Sequence, residues 1–466
     1  MFHNRRQLIA AARRPFVAAG GGGWTPASVT TDFWFDASNA ASITASSGAV
    51  SQWNDLSGNG RHATQSSGSF KFTDTASIQN GKHGLLSVNA NGTYMATAGF
   101  TRAQPFMIFA AVKVNSPTPG SGYENIINGA TTSSGNRPII YSAGDGGLPE
   151  LAAGGTLLGA TSGNVQLGLP YYFTSVFNGS STVMRENGVQ IASGTVGATG
   201  LTGLVIASDS GDGQAFDGYI LELFCIPGTS STDITNAETY LAAKWGIGWT
   251  PHAASAAFWF DADNVLTLVK DGSNFVSLWR DLSGNNRGAS QGAGGFQFTY
   301  TTGVQNGKAG LLSVAASQQH MNMVPFTLSQ PFIVACAVKL TTNPLAKSLA
   351  WDTNTAGTGL VTTFGDGTTD SGISTASNIV RGGGTLANST AYYLVGVFDG
   401  ASSKYRRNGV SIATGTLGST GVTGGGTIGC FPDAFNGYLL ELFLLPGNST
   451  TDITNAETYL AAKWAI

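Results

Sequence analysis

The sequence repeats itself over almost its whole length. The fourteen residues 232–245 return unchanged at 451–464, and the segment Phe-Trp-Phe-Asp-Ala stands at 33–37 and again at 258–262. Shorter matches in the same order lie between these two markers. Because a repeated sequence indicates a repeated structure, we expect two copies of one domain.

The repeats set the expected domain limits. The first domain is predicted at 24–246 and the second at 249–466. Residues 1–23 precede both copies and differ from them, since they are basic and end in a run of glycines. We therefore treat 1–23 as a separate arm with a glycine linker.

The composition excludes several classes of protein. Charged residues make up only 11% of the chain, 65 of its 466 residues are glycine, and 42% are apolar. Such a chain can bury a core, so it is not disordered, and it lacks the charged heptads of a coiled coil. The net charge of −3 argues against a nucleic-acid partner, and no apolar run is long enough to span a membrane.

The periodicity within each repeat is that of β-strands. Near-continuous apolar runs, which predict buried strands, stand at 105–112, 171–177, 331–338 and 392–398. Asn178-Gly179 and Asp399-Gly400 follow two of these runs and predict hairpin turns, because both residue types tolerate positive φ. Closely spaced strands joined by such turns predict a large antiparallel sandwich.

One helix is expected near the end of each repeat. Thr235 and Glu238 have the spacing of a capping box, and Gly246 is a natural stop. Four residues at helical spacing form one apolar stripe: Ala237, Tyr240, Leu241 and Trp245. We expect this stripe to pack against the sandwich edge and close the domain.

Several of these segments resemble a known family. Residues 33–37, 53–59, 216–220 and 240–246 resemble the laminin-G-like, concanavalin A-like jelly-roll domains, in the branch found in bacteria and bacteriophages. The resemblance implies an all-β protein with two tandem jelly-roll β-sandwiches, each closed by a short C-terminal helix. The two copies cover nearly everything after residue 23.

The resemblance also implies a function. In phages such domains look like parts of tail fibres, head fibres or capsid decorations, so we expect a non-enzymatic virion protein, made in the host cytoplasm without export, whose domains bind host-surface glycans. The alternative is a secreted or cell-surface bacterial lectin, and the third hypothesis is a glycoside hydrolase, because this fold hosts all three. The sequence leaves homo-oligomerisation open.

The pattern of acidic residues argues against hydrolysis. A glycosidase needs two carboxylates roughly 5–10 Å apart, which strands supply at alternate positions. The sequence contains no Glu-x-Asp and no Glu-x-x-x-Glu. Where the family often carries an acidic pair, this chain has Leu221-Glu222-Leu223 and Leu440-Glu441-Leu442, so one carboxylate of a family calcium site is missing.

A weaker calcium candidate remains in a loop of each repeat. Oxygen-bearing side chains alternate, as in calcium loops, at Asp55, Ser57, Asn59, Asp281, Ser283 and Asn285. The loops lack a downstream bidentate Glu, and we favour Asx turns in which Gly58 and Gly284 take positive φ. No other cofactor is expected.

Aromatic residues are the candidates for stacking on sugars. Four duplicated tryptophans lie within the apolar framework and are assigned to the core: Trp34, Trp53, Trp259 and Trp279. Tyr123, Tyr141 and Trp351 stand among Gly, Ser, Thr and Asn and are not shared by the repeats. We therefore predict exposed stacking faces at these three residues.

The arm is the candidate for binding another virion protein. Its basic and apolar residues are Arg5, Arg6, Leu8, Ile9, Arg13, Arg14 and Phe16. Arginine forks suit carboxylates on a partner, and the apolar residues between them suit a groove. We expect residues 1–17 to dock on a capsid or tail protein.

Overall fold

The structure is a computed structural model of the chain. It describes residues 23–115, 123–129, 139–142, 148–160, 165–208, 215–342, 348–353, 358–363, 370–375, 378–429 and 435–466. None of the described helices is long and apolar enough to cross a membrane.

Strands are the main regular elements of the first repeat. They are β1 (Phe33–Asp36), β2 (Ile43–Ser46), β3 (Ala49–Trp53), β4 (Ala63–Thr64), β5 (Thr73–Gln79), β6 (Lys82–Ser87), β7 (Met95–Thr97), β8 (Phe106–Val114), β9 (Tyr123–Asn128), β10 (Ile139–Ser142), β11 (Pro149–Ala153), β12 (Thr156–Gly159), β13 (Pro170–Phe177), β14 (Thr182–Glu186), β15 (Val189–Gly194), β16 (Val205–Ile206) and β17 (Gly218–Pro227). Helix α1 (Ser231–Trp245) follows the last strand.

The second repeat has the same order of elements. Its strands are β18 (Phe258–Asp261), β19 (Leu268–Lys270), β20 (Phe275–Trp279), β21 (Ala289–Ser290), β22 (Phe298–Gln305), β23 (Lys308–Ser313), β24 (Met321–Met323), β25 (Phe332–Leu340), β26 (Ser348–Asp352), β27 (Gly359–Thr363), β28 (Ser371–Ser374), β29 (Ile379–Gly382), β30 (Ala391–Phe398), β31 (Ser403–Arg407), β32 (Val410–Gly415), β33 (Thr427–Ile428) and β34 (Gly437–Pro446). Helix α2 (Thr450–Trp464) follows.

Antiparallel pairing arranges the first repeat in two layers. The front layer runs β5–β6–β17–β8–β13–β14–β15, and β1 pairs with the second half of β17. The back layer runs β2–β3–β4–β7–β16–β9–β10–β11–β12. A short β3–β5 pairing joins the layers. This is the predicted β-sandwich of the jelly-roll type.

The second repeat has the same ladder, strand for strand. Its front layer runs β22–β23–β34–β25–β30–β31–β32 with β18 on β34. Its back layer runs β19–β20–β21–β24–β33–β26–β27–β28–β29. The expectation that the repeats share one fold is confirmed, while the limits 24–246 and 249–466 stay predictions.

Each repeat has two apolar cores, because the central strands of the front layer are buried on both faces. Side chains alternate along β1, so Phe33 and Phe35 point into the sandwich, while Trp34 lies on the outer face. On that outer face, Phe224 packs with Leu241 and other residues of α1. The helix therefore covers the face of the front layer and not the sandwich edge, which corrects our expectation.

The helix begins five residues earlier than the capping-box pattern predicts, since that pattern makes Thr235 the N-cap. Ser230 is the N-cap and its side chain accepts a hydrogen bond from the backbone of Asp233, so Thr235 lies inside the helix and the predicted cap is wrong. The predicted stop is confirmed, since Gly246 follows the helix with a φ of 62°. The C-cap of α2 is Ala465, which takes a similar left-handed conformation.

Candidate functional site

A buried carboxylate joins α1 to the front layer of the first repeat. The Glu222 cluster consists of Trp34, Asp36, Glu222, Tyr240, Lys244 and Trp245. The Oε1 atom of Glu222 accepts hydrogen bonds from Nε1 of Trp34 and from the hydroxyl of Tyr240, both at 2.8 Å. Its Oε2 atom accepts one from Nε1 of Trp245, also at 2.8 Å. Glu222 is fully buried, so these donors replace the water that its carboxylate lost.

Lys244 neutralises this carboxylate. Its Nζ atom lies 2.8 Å from Oε2 of Glu222 and 2.6 Å from Oδ2 of Asp36, and it donates to the Tyr240 hydroxyl at 2.9 Å. Burial raises the pKa of Glu222, while the Lys244 ammonium opposes that rise. The cluster is thus a buried group of two carboxylates that share one ammonium inside a low-dielectric interface.

The local sequence explains how the cluster forms. Asp36 and Glu222 are direct partners across the β1–β17 ladder, so their side chains share one face. The β8–β17 register shifts at Leu221, and this irregularity places both Leu221 and Glu222 toward the helix. Tyr240 and Lys244 are four residues apart on α1, so their side chains lie on one face of the helix and both reach Glu222.

The second repeat contains the same arrangement, here named the Glu441 cluster (Trp259, Asp261, Glu441, Tyr459, Lys463 and Trp464). Glu441 accepts hydrogen bonds from Trp259, Tyr459 and Trp464 at 2.6–2.8 Å. Lys463 lies 3.0 Å from Glu441 and 2.6 Å from Asp261. The perfect duplication of the helix sequence thus preserves a structural cluster.

A second ion pair ties α1 to strand β14. Arg185 binds Glu238 with two parallel hydrogen bonds, Nε to Oε1 at 2.7 Å and Nη2 to Oε2 at 3.1 Å. Arg406 and Glu457 repeat this geometry at 2.7 Å and 3.0 Å. Glu238 therefore serves a contact between elements instead of the capping box.

The calcium candidates form a hydrogen-bonded loop. Asp55 accepts from the backbone of Trp34 and Ser57 at Oδ1 and from the backbone of Arg61 at Oδ2, within 2.9–3.0 Å. The hydroxyl of Ser57 also donates to Oδ2 at 2.8 Å. This occupation by local donors supports the Asx-turn interpretation.

The corresponding loop of the second repeat has similar hydrogen bonds. Asp281 accepts from the backbone of Trp259, Ser283 and Arg287 at 2.8–2.9 Å. The side-chain amides of Asn59 and Asn285 donate to backbone carbonyls 27–29 residues earlier, so they connect each loop to the segment just before β1 or β18. As predicted, the glycines between these residues have positive φ, 85° at Gly58 and 86° at Gly284.

No group of three or more His, Cys, Asp or Glu in the described part of the chain is arranged to hold a metal ion. The calcium hypothesis itself stays untested.

The structure corrects one of the predicted stacking residues. Trp351 is fully buried, with its ring 5.7 Å from that of Phe258, so it presents no face to a ligand. The reason is its place in β26, where it pairs with Ile428 just as Ile127 pairs with Ile206 in the first repeat. Trp351 is a core residue for which the first repeat uses isoleucine.

The other predicted site residues are only partly described. Tyr123 and Tyr141 belong to β9 and β10, but their side chains lie outside the described residues. Residues 1–22 of the arm, with Arg5, Arg6, Leu8, Ile9, Arg13, Arg14 and Phe16, also lie outside them. Of the four tryptophans assigned to the core, Trp53, Trp259 and Trp279 are fully buried and Trp34 is partly buried.

A groove beside α1 is a candidate site that the sequence did not predict. It has a volume of about 360 Å³ and runs between the first turns of the helix and the outer face of β13–β15. Its lining residues are Val176, Asn178, Ser181, Val183, Arg185, Gln190, Thr229, Ser231, Ile234 and Thr235. These residues are scattered through the sequence and form no motif, so only the docking of the helix brings them together.

Several solved structures are distantly similar to this chain. No protein-family model and no curated protein sequence matches this chain. Among solved structures, domain 4 of an extracellular arabinanase from Geobacillus stearothermophilus, in complex with arabinotriose, has a TM-score of 0.31 at 13% identity, covering 46% of this chain and 98% of that one.

Two further solved structures are similar at the same level. Tailspike protein 2 of the Escherichia coli O157:H7 bacteriophage CAB120 has a TM-score of 0.29 at 16% identity, covering 36% of this chain and 26% of that one. The binding domain of botulinum neurotoxin serotype C1 has a TM-score of 0.35 at 11% identity, covering 92% and 97%. Scores and identities this low do not establish a shared function.

Proposed function

We propose that this chain is a non-enzymatic structural protein of a bacteriophage virion. It is a head or tail fibre or a capsid decoration that displays two lectin-like β-sandwiches, and these domains bind glycans on the host surface. The proposal includes no cofactor, no nucleic acid and no membrane contact.

One observation carries the non-enzymatic part of the proposal. The buried acids shared by the repeats are engaged in holding the fold together. Glu222 and Asp36 bind Lys244, Glu238 binds Arg185, and equivalent bonds recur in the second repeat. A hydrolase instead keeps a carboxylate pair directed at the scissile bond. The duplicated framework supports a display module better than a catalyst.

The basic arm supports the part of the proposal that assigns the chain to a virion. Arg5, Arg6, Arg13 and Arg14 concentrate positive charge at one end of a chain whose net charge is −3. A glycine run separates this segment from the sandwiches, so docking of the arm on an acidic surface leaves both domains free to project. The proposed partner is a capsid or tail protein of the same particle.

The test is the location of the full-length protein in infected cultures of its source. Particles are purified on a density gradient and probed with an antibody raised against residues 23–466. We expect the protein at a fixed ratio to the major particle protein, with its N-terminal arm intact by mass spectrometry. Recovery only from the particle-free medium, with the arm removed, would contradict the proposal and favour the secreted lectin.

A further inference from the structure

We propose that the groove beside α1 in the first repeat is a binding subsite for a neutral sugar. This inference deepens the proposed glycan binding and rests on it. The groove volume of about 360 Å³ lies within the usual range for small-ligand sites, roughly 300–1,000 Å³.

The lining has the mixed chemistry that a sugar requires. Val176, Val183 and Ile234 form an apolar floor suited to the C–H face of a pyranose ring. Around this floor stand exposed side chains with hydroxyl and amide groups that can donate to and accept from sugar hydroxyls: Asn178, Ser181, Gln190, Thr229, Ser231 and Thr235.

The electrostatics of the groove favour a neutral ligand. Arg185 is the charged residue of the lining, and its guanidinium is already paired with Glu238 through two hydrogen bonds. That pairing cancels the net charge at the groove and fixes the guanidinium in place. An acidic sugar would have to compete with the Glu238 carboxylate, so neutral hexoses and N-acetylhexosamines are the expected class.

In the second repeat, other side chains close the position that corresponds to the groove. Asn448 stands where the first repeat has Thr229, and its Nδ2 atom donates to Oδ2 of Asp399, the counterpart of Asn178, at 2.9 Å. Lys404 stands where the first repeat has Val183. In the second repeat, the hydrogen bond between Asn448 and Asp399 thus bridges the rim, and the charged side chain of Lys404 replaces part of the apolar floor. We therefore assign the subsite to the first repeat alone.

This difference supplies a variant that keeps the fold. The triple change Asn178→Asp, Val183→Lys and Thr229→Asn gives the first repeat the residues that the second repeat carries at matching positions. The matched control is Val189→Lys, which makes the same valine-to-lysine change as in the triple variant, but at an exposed residue of β15 outside the groove. Circular dichroism and thermal unfolding check that both variants fold.

The experiment applies the full-length chain and both variants to an array of printed neutral and sialylated glycans, followed by titration of the strongest neutral binder. We expect the wild type and the Val189→Lys control to bind a neutral glycan, and the triple variant to bind about tenfold more weakly or worse.

Unchanged binding by the folded triple variant would overturn the subsite but leave the proposed glycan binding standing. Binding of sialylated glycans alone would overturn the neutral class. No binding by the wild type would contradict the proposed glycan binding and the subsite together.

Discussion

At the scale of single residues, the Glu222 carboxylate explains why widely separated segments are duplicated together. Trp34 and Asp36 come from the Phe-Trp-Phe-Asp segment, and Tyr240 and Lys244 come from the helix. A charged residue inside an apolar strand is stable only with partners, and these residues are its partners. The Leu-Glu-Leu pattern therefore marks a structural position of the first repeat.

Replacing Glu222 with alanine is expected to destabilise the first repeat strongly. The change keeps Lys244 paired with Asp36 but leaves the buried donors of Trp34, Tyr240 and Trp245 without their acceptor, at a cost of about 1–3 kcal/mol for each donor left unsatisfied. The measurement is the free energy of unfolding in urea. The matched variant Glu441→Ala should destabilise the second repeat to a similar degree. A loss below about 1 kcal/mol in both variants would show that the clusters do not hold the helices.

Glu186 gives a pH-dependent prediction. It is buried on β14, and burial raises its pKa from 4.5 to about 8. The folded state thus keeps the proton that the unfolded chain releases above pH 4.5, so this group lowers the stability as pH rises from 4.5 to about 8. The variant Glu186→Gln should match the wild type near pH 4 and be more stable by roughly 2–4 kcal/mol at pH 8. Unfolding in urea at both pH values is the measurement, and equal pH profiles would contradict the prediction.

At the scale of elements, the helices show which structural features a sequence pattern predicts and which it does not. Periodicity predicted the existence of α1, its apolar stripe and its stop at Gly246, because these depend on local spacing. It failed at the start of the helix, since Glu238 is recruited by Arg185, a residue of another strand. The face on which the helix docks is formed by apolar residues of several strands, including Phe109 and Phe224, and no local signal in the sequence marks it.

Deleting α2 is expected to unfold the second repeat while leaving the first repeat folded. Truncation before residue 449 exposes the outer apolar face of the front layer, including Ala335, Phe443 and Leu445, and leaves Glu441 without Tyr459 and Lys463. No described strand of the first repeat pairs with one of the second. Differential scanning calorimetry should therefore lose one transition and keep the other. Retention of both transitions would show that the helix is dispensable.

At the scale of the whole molecule, the duplication was the most informative part of the sequence. It predicted two sandwiches of one design, and the strand ladders match from β1–β17 to β18–β34. It was less informative where the repeats differ. Trp351 looked exposed because it is unshared, yet it fills a core position that the first repeat gives to Ile127. Three such differences lie in the groove beside α1, and only the folded chain brings their positions together.

The arm can be tested by deleting residues 2–17. Since the described strands begin at Phe33, both domains should remain folded and soluble. Incorporation into particles should be lost, because the arginines and apolar residues proposed to dock are removed. The ratio of truncated to wild-type protein in purified particles is the measurement. Incorporation at the wild-type ratio would place the anchor in the sandwiches.

The central claim is that the domains bind glycans without cleaving them, and one sample can test both parts. The full-length chain is incubated with the glycan that it binds best on the array, the complex is recovered, and the glycan is analysed by mass spectrometry after prolonged incubation. We predict that the bound glycan is recovered intact and in full. Accumulation of shorter products, abolished when one Asp or Glu of the chain is changed, would contradict the claim and identify a glycosidase.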